Sequence, residues 1–240
     1  MRSINYIILL TIIFGCKKPS ERSCWKSNGE VSHINKIITT TNKITVLDNL
    51  NLILINDSLN EIIIEGPKNL IKLIELDQKN HQITIKNNNR CNFLRKNMDI
   101  NIHYHYKQLD SLILKGYGNV SNNGEMNHSI FINAKDALCS INLKLNNDSN
   151  KIIIQNGSTD INLSGHCSYF YFYNEGFGPL KAFELEAKKT HIHSNSISNS
   201  EINVTEQLNA EIRNNGNIYY KGTPTIIQTT NSGNGRLIPQ

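Results

Sequence analysis

From Val120 to Leu237 the chain repeats a short apolar–polar–apolar phrase at a nearly constant interval. Ile141-Asn142-Leu143, Ile161-Asn162-Leu163 and Ile202-Asn203-Val204 each follow a polar turn, with weaker echoes between and beyond them. The apolar anchors after the turns are Val120, Ile141, Ile161, Leu180, Ile202, Ile218 and Leu237, at steps of 21, 20, 19, 22, 16 and 19 residues. Steps of about 20 residues, each with one small-residue turn, mark a solenoid. Within the phrase the alternation is that of a strand with one buried face. A second alternating stretch precedes the next anchor: Ile130 and Ile132, Ile152 and Ile154, Phe170 and Phe172, and Leu208, Ala210 and Ile212. No single coil can bury its own apolar face, so inward residues stack coil upon coil. The pattern predicts an all-β, right-handed parallel β-helix or similar β-solenoid over residues 111–240.

Residues 31–110 follow a different rhythm. From Asn42 the chain is strand-rich: Ile44-Thr45-Val46, Leu50 to Ile55, and Glu61 to Glu65, with turn chemistry at Asn56-Asp57-Ser58. Gly66-Pro67 stops the third strand, Lys68 to Glu75 has room for a helical turn or two, and Gln82 to Ile85 resumes the strand pattern. Without a refrain, this half is expected to be an atypical β-rich cap or a separate small domain. A solenoid needs such ends to protect its open edges.

The first residues read as an address. Arg2 precedes the apolar run Tyr6 to Phe14, which is too short to span a bilayer as a stable helix. It ends in Ile13-Phe14-Gly15-Cys16, which resembles the lipobox of bacterial lipoproteins. That resemblance implies a signal peptide over residues 1–15, a lipid on Cys16, and a polar tether over 16–30. Each buried CH₂ of such a lipid contributes about 0.8 kcal/mol, so several chains would hold the protein on a membrane without spanning it. No acidic run follows Cys16, which favours the periplasmic side of an outer membrane.

The formal charge of +5 falls to +4 without Arg2. The cations are scattered, with no basic cluster interleaved with aromatics, so nucleic acid is not an expected partner. The 37 asparagines suit tight turns and solenoid corners, because Asn tolerates left-handed backbone. With Cys16 used for lipid, four cysteines allow three connectivities, and an exported protein lives where disulfides persist. Cys24 in the tether and Cys91 in a polar turn are the expected pair; Cys139 and Cys167 are left open between a pair and free thiols.

For surface chemistry the strongest stretch is Tyr169-Phe170-Tyr171-Phe172-Tyr173. If the phenylalanines fill the core, Tyr169, Tyr171 and Tyr173 form an outward stripe suited to a sugar, a peptide or a partner surface; the competing reading is that neighbouring coils cover or pair with them. His103 and His105, and His191 and His193, place two imidazoles on one strand face, but no third ligand or Cys-x-x-Cys accompanies them. No metal or cofactor is therefore expected. The acids Asp136, Asp160 and Glu175 sit in turns, where they cap their own backbone more often than they catalyse. No catalytic residues are assigned, and a carbohydrate-active lyase or hydrolase is the alternative, requiring two converging carboxylates.

The runs Val46 to Leu52, Ile63 to Leu70 and Ile85 to Asn92, with the ending Gly216-Asn217-Ile218-Tyr219-Tyr220-Lys221-Gly222-Thr223-Pro224 and Ser232 to Leu237, resemble the putative auto-transporter adhesin, head GIN domain family. The resemblance covers roughly residues 31–238. It implies an exported, lipid-anchored, β-helix-like envelope protein with an adhesin-like or structural role and brings no catalytic residues. The expected partners are a membrane, through the lipid, and a glycan or protein ligand. An envelope-assembly or signalling partner is a further alternative.

Overall fold

The computed structural model describes residues 27–89 and 99–240. The expected signal peptide over residues 1–15, the expected lipid site Cys16, and the expected Cys24 and Cys91 pair lie outside the described residues. Within them the protein is all-β, with fourteen strands in one open sheet. The strands of the first half are β1 (Val31–Ile37), β2 (Lys43–Asn49), β3 (Asn51–Asn56), β4 (Glu61–Pro67), β5 (Ile74–Lys79), β6 (Gln82–Asn87) and β7 (Asn101–Tyr106). A helical turn, α1 (Lys68–Ile71), separates β4 from β5. The second half contains β8 (Ser111–Asn123), β9 (Ile130–Glu175), β10 (Leu180–Ser194), β11 (Ser200–Ile212), β12 (Ile218–Lys221), β13 (Ile226–Asn231) and β14 (Leu237–Pro239).

From β8 onward every ladder is parallel, and partners lie about one repeat apart in sequence. Val120 pairs with Ile141, Ile161 with Leu180, Leu180 with Ser200, Ser200 with Ile218, and Ile218 with Leu237. The long β9 returns on itself at the same interval: Asn162 Nδ2 donates to Asn142 Oδ1 at 2.8 Å, and Asn156 Nδ2 to Asp136 Oδ1 at 3.0 Å. Each such row of strands is a rung on the one below. Close approach between rungs has a local requirement at Gly165, whose φ is +104° and where a Cβ would collide with the Leu145 carbonyl. Only glycine tolerates both conditions.

The alternation seen in the sequence is the packing pattern. Phe170 and Phe172 are fully buried, with ring centroids 6.1 Å apart, while Ile152, Ile154, Ile192, Leu208 and Ile212 fill the same interior on neighbouring rungs. Burial of each such side chain contributes about 1.5–3 kcal/mol. One anchor is corrected: Ile202 pairs with Ala182, and the residue in register with Leu180 and Ile218 is the buried Ser200. That polar residue in an apolar column accounts for the irregular intervals on either side of Ile202.

In the first half the chain order departs from the spatial order. β2 and β3 form a rung sandwiched between β8 on one side and β6 with β7 on the other, all parallel to it. The outer side is then closed by antiparallel strands: β5 on β6, β4 on β7, and β1 on β4. Leu70 and Ile71 of α1 are buried against this end. β1 and β5 are not evident in the sequence pattern, and the helical turn stops at Ile71, short of Glu75.

Candidate functional site

The outward positions of the strand that buries Phe170 and Phe172 are Tyr169, Tyr171 and Tyr173. Parallel pairing sets Lys189, His191 and His193 beside them, and then Gln207, Asn209 and Glu211 on the following rung. Ile192 is fully buried, which turns both histidines outward. Because rungs are about 4.8 Å apart, these side chains meet as a ring lattice. Tyr171 stands edge-on to His191 at 5.4 Å between centroids; His191 and His193 stack at 4.5 Å, and Tyr173 lies 6.1 Å from His193. Lys151, from the preceding rung, holds its ammonium 5.0 Å from the centre of the Tyr171 ring. Such cation–ring contacts are favourable by about 0.5–1 kcal/mol at exposed sites. Tyr169 remains 38% exposed, and Tyr171 and Tyr173 are half-buried by these neighbours.

The polar border of this wall is tied down. Tyr173 donates its hydroxyl to Glu175 at 3.1 Å. Glu211 takes a 2.7 Å hydrogen bond from Arg213 Nε and an ion pair from His193 Nδ1. The Arg213 hydrogen bond holds the Glu211 carboxyl below its ordinary range, although partial burial pulls it up. Burial, and then the positive charge of His193 when protonated, lower the pKa of His191. Burial raises that of Tyr169, and burial with the Glu175 carboxylate raises that of Tyr173. The wall is thus an aromatic surface edged by hydrogen-bonding and charged groups.

The other residues singled out in the sequence are accounted for individually. His103 and His105 each face a separate carboxylate, Glu65 at 2.9 Å and Asp57 at 2.7 Å. Among the described residues no three His, Cys, Asp or Glu side chains group as metal ligands. Asp136 accepts from Asn156, and Glu175 from Tyr173. Cys139 and Cys167 are free thiols; burial pushes Cys167 up to about 11. Two features escape a reading by alternation. The sequence shows the histidines as solvent-facing neighbours, without their stacking against the tyrosines, which depends on register. Phe183 carries no signal because it breaks the alternation. Among the described residues no helix is long and apolar enough to cross a membrane.

A single open sheet of parallel rungs, flanked at its beginning by antiparallel strands and presenting an aromatic wall, defines an all-β protein. The chain belongs to the family described as putative auto-transporter adhesin, head GIN domain, whose model matches residues 41–224. Its fold is similar to that of a putative adhesin from Bacteroides fragilis, with 22% identity, a TM-score of 0.79, and coverage of 88% of this chain and 97% of that one. A putative adhesin from Parabacteroides merdae is similar at 19% identity and a TM-score of 0.64, covering 89% of this chain and 97% of the other. A protein from Parabacteroides distasonis, described as a putative lipid binding protein, has a TM-score of 0.56 at 19% identity, with 88% and 98% covered. No curated protein matches the chain.

Proposed function

We propose that the protein is an adhesin-like binding module of the cell envelope, held to the membrane by lipid on Cys16 and meeting a glycan or protein ligand through the wall of Tyr169, Tyr171 and Tyr173. The observation that carries this reading is the lattice itself: Tyr171, Tyr173, His191 and His193 interlock across two adjacent rungs, with the exposed Tyr169 beside them on the same strand face. Tyrosine supplies large contact area with few rotatable bonds and a polar tip, a combination that suits recognition. In this reading the parallel rungs are a right-handed β-helix with coils of about 20 residues. Residues 31–110 form its cap, 111–240 its repeats, and a Cys24–Cys91 disulfide fastens the tether to the body. The anchor lies in the outer membrane on the periplasmic side.

Two experiments test the parts separately. Labelled palmitate should enter the wild type and not a Cys16→Ser variant; equal labelling of both removes the anchor. Glycan and envelope-protein arrays probed with the wild type and a Tyr171→Ala, His191→Ala double variant should show a signal that the double variant loses by at least tenfold. An array signal indifferent to the double substitution removes the wall as the contact surface.

A further inference from the structure

A different outward face of the rungs carries a groove that the wall does not use. It encloses about 520 Å³, and its lining includes Asn142, Asn162, Lys181, Phe183, Glu201 and Lys221. These residues come from five successive rungs, so the groove follows the direction in which rungs stack.

Its aromatic floor has a definite cause. Lys181 pairs with Asn162 and Glu184 with Ser164, so Ala182 and Phe183 together stand opposite Leu163 alone. A bulge of this kind re-aims a side chain. Ala182 turns inward and is fully buried, and Phe183, half-buried, is delivered to the outer surface. On the following rung, Asn203 Nδ2 donates to the Phe183 carbonyl at 3.3 Å and fixes the bulge. Lys221 extends over the ring with its ammonium 4.4 Å from the centroid. Among the described residues neither Lys181 nor Lys221 forms an ion pair, whereas Lys144 at the groove's edge is paired with Glu125 at 2.8 Å. Asn162 gives its amide to Asn142, which leaves its own carbonyl oxygen free as an acceptor.

The lining combines a ring face, two unpaired ammonium groups, amide side chains and the carboxylates Glu184 and Glu201. A polyphosphate backbone would meet those two carboxylates at close range. An extended peptide would find no open strand edge here, because the rungs' backbone groups are committed to their ladders. A ligand with ring C–H faces, many hydroxyls and an occasional negative charge uses every group present. Hydroxyls donate to Glu201 and the Asn162 oxygen and accept from Asn142, and the advance per ring of an extended glycan is close to the rung spacing of about 4.8 Å.

We propose that this groove binds an acidic oligosaccharide, with a hexuronate ring lying on Phe183 and its carboxylate on Lys221. The flexible lysine stem lets the ammonium lift from the ring and meet the carboxylate as the sugar takes its place. The site is separate from the tyrosine wall and does not depend on it.

The test is calorimetric titration of the full-length protein in detergent with a panel of tetrasaccharides that carry a single hexuronate (galacturonate, glucuronate or mannuronate) among neutral hexoses, and with their neutral methyl esters. At least one tetramer should bind, its ester at least tenfold more weakly, with affinity falling as salt is raised. Phe183→Ala and Lys221→Gln should each weaken the acid at least tenfold with an unchanged melting temperature, and Tyr171→Ala should leave it unaltered. Failure of every tetramer to bind, equal binding of acid and ester, or full binding by Phe183→Ala would overturn the proposal. Loss of binding in Tyr171→Ala would assign the sugar to the wall and overturn it as well.

Discussion

The two halves of the sheet stack the same kind of rung by opposite chain routes. After Ser111 each rung is laid on the one just made, so Leu180 finds Ile161 below it and Ser200 above. Before Ser111 the rung of β2 and β3 is made early and covered late. Leu52 waits for Ile102 on one side and Val120 on the other, and Ile44 for Ile83 and Leu112. The antiparallel strands β1, β4 and β5 then occupy the outer side, with β1 and β5 as its edge strands. Repetition therefore grows a surface and a change of strand direction ends it. The wall and the groove both lie on the repeating part, where register alone places side chains from different rungs in contact.

Core truncations give the largest expected effects and compare the halves directly. Phe172→Ala should cost about 3–5 kcal/mol and Leu52→Ala about 2–5 kcal/mol, read from urea unfolding midpoints. Because the contacts of Leu52 reach much farther along the chain, its truncation should also slow refolding more per unit of stability lost if those contacts form in the transition state. Next is a polar contact confined to the capped half. The buried Tyr104 hydroxyl meets Thr41 Oγ1 at 2.5 Å. Removal of that hydroxyl in Tyr104→Phe should cost about 1–2 kcal/mol by leaving the threonine partly unsatisfied.

A substitution in the repeating half should have the reverse sign. Ser200 Oγ is buried without a partner between Leu180 and Ile218. Ser200→Ala should therefore stabilise the protein by about 1 kcal/mol, measured as a rise in melting temperature. A fall would mean that the hydroxyl holds the rung in place. The smallest effect concerns pH. Burial and His193 hold His191 below its ordinary value of 6.5, so just below that pH the unfolded chain binds more protons than the folded one. Stability from this group is present above the unfolded value and declines as pH falls towards the folded one. The wild type should thus lose more melting temperature on acidification through this range than His191→Gln, and identical pH profiles would remove the effect.

How much of this is legible in the sequence depends on whether partners lie one repeat apart. Ile141 and Ile161, and Phe170 with Phe172, announce their rungs because both neighbours carry the same pattern. Ser200 does not, since a hydroxyl occupies the apolar slot and Ile202, two residues on, imitates the anchor. The rung of β2 and β3 has strands that are easy to see and partners that are not. Local alternation cannot encode a pairing between Val46 and Leu114 with strands made in between. The tyrosine stripe can be read from alternation, but its contacts with His191 and His193 require the register. Phe183 requires a bulge, which a two-residue period cannot foresee.

The central functional claim is that the open wall is occupied in the envelope. Tyrosine footprinting measures this whatever the ligand is, by comparing iodination of the purified protein with that of the protein in intact envelopes. Tyr117, 57% exposed and away from the wall, serves as the internal reference. The account predicts that Tyr169, Tyr171 and Tyr173 become protected in the envelope relative to the purified protein while Tyr117 stays reactive. Equal labelling of the three tyrosines in both settings would contradict it.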